Sequence, residues 1–176
     1  PASTTFVAVD RLGNAVACGV TMNGLFGMGR IAPGTGIVLA TVPDTAGHGA
    51  LSLGPMIVAN PHTGRLYWAG AASGGVAAPT ALVGVAARVF LGGDSLDAAE
   101  SAPRVNHGGS PDITYVEDGM QPGLVEALRK RGHHVKTVPR MGRVNAFYCP
   151  EGLPKQDGCR IATDPRGFGL GITSQR

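Results

Sequence analysis

Ser3-Thr4-Thr5-Phe6-Val7-Ala8-Val9-Asp10, then Arg11-Leu12-Gly13-Asn14, then Ala15-Val16-Ala17-Cys18-Gly19-Val20-Thr21-Met22-Asn23 reads as a β-hairpin around which the chain is organised. Phe6 to Val9 is a short run of strand formers, Gly13-Asn14 supplies the turn, and Ala15 to Met22 returns. Such a hairpin carries Thr21 and Asn23 back beside Ser3. Hydroxyls and an amide then meet near the start of the chain, where a terminal amine can act as base for a neighbouring hydroxyl. By itself the pattern also fits a Thr-rich edge hairpin, since hydroxyl residues are common on strands.

Outward from the hairpin, the bulk properties narrow the class. The 176 residues, 43% of them hydrophobic, suit one domain over 1–176 with a core of its own. Only 15% are charged, against roughly 25% in ordinary soluble domains, so part of the surface is expected to be covered by another chain. A net charge of +3, with basic residues scattered except at Arg129-Lys130-Arg131, gives nucleic-acid binding little support. The apolar run 77–91 is too short and too amphipathic to span a membrane. Cys18, Cys149 and Cys159 cannot all pair within the chain; a Cys149–Cys159 disulfide is compatible with the sequence, and no zinc-type spacing accompanies it. The chain opens at Pro1 without an initiator Met, which reads as a product of processing or trimming.

Along the chain, the glycine-rich segment 24–36 lacks the Gly-Lys-Ser/Thr and strand-to-helix context of a phosphate loop. Ile37 to Val42 reads as a buried strand. Pro55–Asn60 and Arg65–Gly70 form a second hairpin around Pro61-His62-Thr63-Gly64. After Ser73-Gly74-Gly75, Pro79 opens a helix from Thr80 to about Phe90 with a broad apolar face. Ser95 or Asp94 caps a short helix, Leu96 to Ser101. A strand at Ile113–Val116, a helix at Gly123–Arg131 closed by Gly132, and strands at 133–138 and 144–148 follow. Trp68 and Phe90 read as core, Asp10 and Asp164 as turn-pinning groups, and His107, His133 and His134 as surface groups. The order of elements suits layered α+β packing.

Taken together, these segments resemble the small, nucleophile-bearing chain of γ-glutamyltranspeptidases, the glutathione hydrolases, which are N-terminal-nucleophile hydrolases. The resemblance runs over nearly the whole chain: the Ser3–Asn23 hairpin with Phe26-Gly27, Leu51-Ser52-Leu53-Gly54-Pro55, Ser73-Gly74-Gly75, Ala102-Pro103-Arg104 and Asp164-Pro165-Arg166. It implies a four-layer αββα sandwich, of which this chain is the small-subunit part. It also implies a zymogen that cuts itself autocatalytically, so that the exposed α-amine activates a hydroxyl for attack on an amide. No cofactor or metal is implied. The family spacing of eighteen residues from nucleophile to second-strand Thr selects Ser3, with Thr4 one residue off and therefore on the opposite strand face. Thr21 is then expected to bond the nucleophile's oxygen, Asn23 to hold the polar end of the substrate, and the Gly74 and Gly75 N–H groups to receive the oxyanion, where the absence of a side chain allows close approach.

Two departures qualify this pattern. Ser52 aligns with the second of two serines that bind the substrate carboxylate, while Leu51 replaces the first, and of an acidic pair only Asp44 remains. The recognition of a γ-glutamyl group is thereby weakened, which keeps a cephalosporin-acylase-like amidohydrolase, or a non-catalytic relative, in view. Pro1-Ala2 ahead of Ser3 is the second departure, because an internal residue has no free amine; an unprocessed or trimmed chain, cleavage elsewhere and lost activity are the alternatives. The expected partners are a large subunit from the same precursor and a small-molecule γ-glutamyl or related amide. The compartment is not written in these residues, and the resemblance points to a periplasmic or secreted setting.

Overall fold

A computed structural model describes residues 3–42 and 54–174. Its strands are β1 (Ser3–Val9), β2 (Ala15–Thr21), β3 (Gly54–Ala59), β4 (Leu66–Ser73), β5 (Val105–His107), β6 (Thr114–Glu117), β7 (Val135–Val138), β8 (Arg143–Leu153) and β9 (Arg160–Thr163). Its helices are α1 (Ala78–Phe90), α2 (Leu96–Ser101) and α3 (Pro122–Lys130). They build an antiparallel β3-β4-β8-β9 sheet, a β1-β2 hairpin sheet and a small β5-β6-β7 sheet. In the last, β6 and β7 run parallel and α3 makes the crossover that parallel pairing requires.

The four-stranded sheet is the middle layer. On one face α1 and α2 bury Leu82, Val85, Val89 and Leu96 against Trp68, Ala72, Val144 and Ala146. On the other, Val7, Val9 and Ala15 of the hairpin pack over Leu66, Phe147, Cys149 and Leu153. Buried on both faces, β4 reads Ala69-Gly70-Ala71-Ala72 at its centre, and these small side chains let the two flanking layers approach. The helices, the main sheet and the hairpin sheet stack as α, β and β layers, in agreement with the α+β expectation.

The hairpin has the register its turn dictates. Ser3 pairs with Thr21 and Val9 with Ala15, while the Asp10 carboxylate accepts from the Leu12 and Asn14 N–H groups and the Asn14 side chain. The Asn14 side-chain bond is also the main reason the Asp10 carboxyl is held below its ordinary range. Further along, Ser95 caps α2 by accepting from the Ala98 N–H. Cys149 and Cys159 are joined by a disulfide, and Cys18 is free.

Two expectations are corrected. Residues 37–42 are not a buried strand: they fold back on 28–32 through backbone hydrogen bonds from Met28 to Leu39, Leu39 to Arg30 and Ala32 to Ile37, around the pair Ile31 and Val38, and Ile37, Val38, Leu39 and Val42 are exposed. Phe90 is not sealed in the core but rests at its rim against Trp68 and Tyr148, 39% exposed. The segment before Asp164, to which no element was assigned from sequence, is a strand, β9, on the edge of the main sheet.

Candidate active site

On β1 the residues alternate between half-buried and exposed from Ser3 onward. Ser3, Thr5, Val7 and Val9 face the main sheet, while Thr4, Phe6 and Ala8 face away. Ser3 therefore lies on the inner face directly opposite Thr21, and Thr4 lies on the outer face opposite Val20. The one-residue difference between these candidates is a difference of face.

β1 crosses β4 in the opposite direction. Val7 and Val9 pack in the cluster with Leu66 at the start of β4, and the Thr5 hydroxyl donates to the Ala71 carbonyl near its end, 3.4 Å. Two residues back along β1 is Ser3; two residues on along β4 is Ser73, followed by Gly74-Gly75. At about 3.3 Å per residue, both strands advance a similar distance from the Thr5–Ala71 contact, which brings the start of β1 toward the Gly74-Gly75 turn.

That turn is shaped by glycine. Gly74 has φ 118° and Gly75 φ 69°, both in the left-handed region, and a Cβ on Gly74 would lie 2.7 Å from the Gly142 Cα. A residue with a side chain fits neither the dihedral nor the space. Gly75 begins a single 3-10 turn, Gly75–Ala77, that leads straight into α1. The first N–H groups of a helix have no partner within it and carry its positive end, so the N–H groups at the end of β4 gather where a developing negative charge can be received.

Thr21 and Asn23 close the other side. The Asn23 N–H donates to the Thr21 hydroxyl oxygen at 3.0 Å. Asn23 itself is left-handed, with φ 57°, and its side-chain amide donates to the Thr41 carbonyl at 2.7 Å. This amide, expected to face substrate, ties the returning end of the 24–41 excursion to the hairpin. Asp44 and Ser52 lie outside the described residues.

Among the described residues there is also a buried polar cluster that the reading of single residues missed. Arg104 and Arg166 lie among Glu100, Glu117 and Asp164, joining α2, the small sheet and the ends of β8 and β9. Arg104 pairs with Glu100 at 3.1 Å and Asp164 at 2.7 Å, and Arg166 pairs with Glu117 and Asp164. Glu117 also accepts from the Arg104 and Met141 N–H groups, and Asp164 from those of Val144 and Arg166. Asp164 does pin a turn, as expected, but it also ties two strands to a buried arginine. The signal was present as the i,i+4 pair Glu100/Arg104 and the i,i+2 pair Asp164/Arg166. His107, by contrast, is at the surface beside Asp112.

Among the described residues no group of three or more His, Cys, Asp or Glu is placed to hold a metal ion, and no helix is long and apolar enough to cross a membrane.

Comparison with known proteins bears directly on this geometry. A family model described as Gamma-glutamyltranspeptidase matches residues 50–172. The chain is 33% identical to the Acylase ACY 1 proenzyme of Pseudomonas sp. (strain V22), over 90% of this chain and 30% of that protein. It is 27% identical to the Glutathione hydrolase proenzyme of Escherichia coli (strain K12), over 82% of this chain and 29% of that protein. The chain thus spans less than a third of the length of these relatives. Its fold superposes on a crystal structure of acivicin-inhibited gamma-glutamyltranspeptidase with a TM-score of 0.76 at 26% identity, over 93% of this chain and 98% of that one.

Proposed function

Because this chain belongs to the γ-glutamyltranspeptidase family, we propose that it is the nucleophile-bearing part of a self-processing N-terminal-nucleophile enzyme that transfers an acyl group from an amide to water or an amine. The observation that carries the reading is the placement of Ser3 on the inner face of β1, opposite Thr21, with the start of β1 directed toward the Gly74-Gly75 turn.

In this reading, cleavage of the Ala2–Ser3 bond frees the Ser3 α-amine. The amine takes the proton from the Ser3 hydroxyl as its oxygen attacks the amide carbonyl, and Thr21 holds that oxygen in line. The Gly74 and Gly75 N–H groups receive the oxyanion; one such donor is worth about a hundred-fold or more in rate. Collapse expels the amine, which leaves with the proton, and a Ser3 ester remains. Water or an acceptor amine then attacks the ester by the same route in reverse. Asp44, Ser52 and the Asn23 side-chain oxygen are assigned to the polar end of the acyl group, the Asn23 Nδ2 being bonded to the Thr41 carbonyl.

The partner is the remaining chain of the same precursor. Both curated relatives are proenzymes more than three times the length aligned here. The outer face of the hairpin leaves Phe6, Val16 and Val20 about half exposed, and the adjoining arm exposes Leu25, Phe26, Ile31 and Ile37. Apolar side chains repeated along one sheet face are what a covering layer buries.

A second reading of the substrate is supported by Leu51 in place of a serine and by the acylase relative: a glutaryl-type or other acyl amide in place of γ-glutamyl. Mass spectrometry of the full precursor after treatment with an electrophilic glutamine analogue tests the nucleophile. The expected result is self-cleavage before Ser3 and one adduct on Ser3, both abolished by Ser3→Ala and retained by Thr4→Ala. An uncut chain with no adduct on Ser3 or Thr4 would indicate a non-catalytic relative. Hydrolysis of a γ-glutamyl anilide compared with that of a glutaryl amide decides between the acyl groups.

A further inference from the structure

The hairpin meets the main sheet through a three-residue node next to the proposed nucleophile. Asn145 on β8 is the direct cross-strand partner of Ala71 on β4. Its side-chain Nδ2 donates to the Thr5 hydroxyl oxygen at 3.1 Å and also reaches the Thr5 carbonyl at 3.4 Å. The Thr5 hydroxyl in turn donates to the Ala71 carbonyl at 3.4 Å. One amide on the middle layer therefore grips backbone and side chain of β1 at once, and the chain of donors ends on the strand that carries Gly74-Gly75. Asn145 is held from its other side as well: a Cβ on Gly169 would lie 2.9 Å from the Asn145 Oδ1, so the backbone of the C-terminal segment rests against the amide because no side chain intervenes.

Resting on the proposal that Ser3 is the nucleophile, we infer that Asn145 is a positioning residue that, through Thr5, fixes the distance between the Ser3 hydroxyl and the Gly74-Gly75 N–H groups. The nucleophile is two residues from the node along β1, and the oxyanion donors are three and four residues from it, just past the end of β4. Below the node, toward Val7 and Val9, β1 is held by apolar packing, which resists separation but not sliding. Directional hydrogen bonds at Thr5 supply what packing lacks, a defined register between the two layers. Misplacement of a reacting group by about 1 Å costs on the order of a hundred-fold in rate.

The test uses the full precursor with Asn145→Ala, Thr5→Val and Thr5→Ser. Asn145→Ala removes the amide, Thr5→Val removes the hydroxyl at constant shape, and Thr5→Ser keeps the hydroxyl. The expected result is that Asn145→Ala and Thr5→Val each lower kcat by roughly 10- to 100-fold with KM within about threefold of the parent, and that Thr5→Ser restores most of the rate. A purely structural role would lower the unfolding midpoint and leave kcat of the folded enzyme unchanged. If a variant stays uncut, the half-life of its self-cleavage replaces kcat as the readout, since the same hydroxyl attacks; it should lengthen by a similar factor. Variants with kcat or cleavage rate within about twofold of an active parent overturn the inference alone. A parent that neither cuts itself nor accepts an adduct overturns the Ser3 reading and this inference with it.

Discussion

The beginning of the hairpin and the Arg104/Arg166 junction both come from segments that mark the family, and they are built in opposite ways. Ser3 and Thr21 meet across a two-stranded ribbon whose outer face is half exposed, and the neighbouring Gly74-Gly75 turn offers backbone rather than side chains. At the junction, Glu100, Arg104, Glu117 and Asp164 are nearly sealed from solvent, and two guanidinium groups and three carboxyl groups exchange bonds with one another and with the backbone of α2, β8 and the loops beside them. Charged groups that hold layers together must be paired, because an unpaired buried charge costs several kcal/mol. Sequence motifs of similar appearance can thus lie at an open edge in one place and in sealed scaffolding in the other, and burial and charge distinguish the two.

The sharpest way to break this comparison is Arg104→Ala. It strips the junction of a group that bonds Glu100, Asp164 and the Met141 carbonyl and leaves buried carboxyl groups without their partner. The expected loss is about 3–5 kcal/mol of stability, read from urea unfolding of the full precursor; a loss under about 1 kcal/mol would show that the junction is not the scaffold. Gly74→Ala should act in the other direction. Its Cβ is forced against Gly142 at a left-handed dihedral, so the N–H groups of the turn are displaced, and kcat should fall about a hundred-fold. The stability loss should be the smaller effect, roughly 1–3 kcal/mol. A variant that loses stability alone would place the turn with the scaffold.

The hairpin was legible because local signals agree: Gly13-Asn14 at the turn, Asp10 before it, and runs of strand formers on either side. The helices α1 and α2 were legible for the same reason, from Pro79, the apolar face and the Ser95 cap. The run Ile37–Val42 misled because hydrophobicity reports that a segment is to be covered, not which chain covers it; here the described residues leave it exposed. β9 was missed because Arg160-Ile161-Ala162-Thr163 offers only four residues of weak alternation. In Leu96-Asp97-Ala98-Ala99-Glu100, Glu100 looks like the solvent side of a helix. Its burial depends on Asp164 and Arg166, more than sixty positions away, and no local pattern records that.

The smallest expected effect concerns that residue. Burial, assisted by the charge of Asp164 and opposed by Arg104 and Arg166, pushes the Glu100 carboxyl up to about 8, and its Oε1 has no hydrogen-bond partner among the described residues. With two guanidinium groups facing three carboxyl groups, a proton on Glu100 brings the junction to neutrality. The folded chain then keeps a proton that the unfolded chain releases above its ordinary value near 4.3. The sign follows: the stabilisation is fully present below about 4.5, falls as pH rises toward 8, and is lost above it. Glu100→Gln keeps the shape and the acceptor facing Arg104 but has no proton to lose. Unfolding free energies of the full precursor, taken from urea melts at pH 5, 7 and 9, should therefore nearly coincide for parent and variant at the acid end and separate in favour of Gln at the alkaline end. Parallel curves across that range would mean that Glu100 is ionised in the fold, and that the junction carries a net negative charge which the backbone N–H groups of Val144, Met141 and Arg104 must balance.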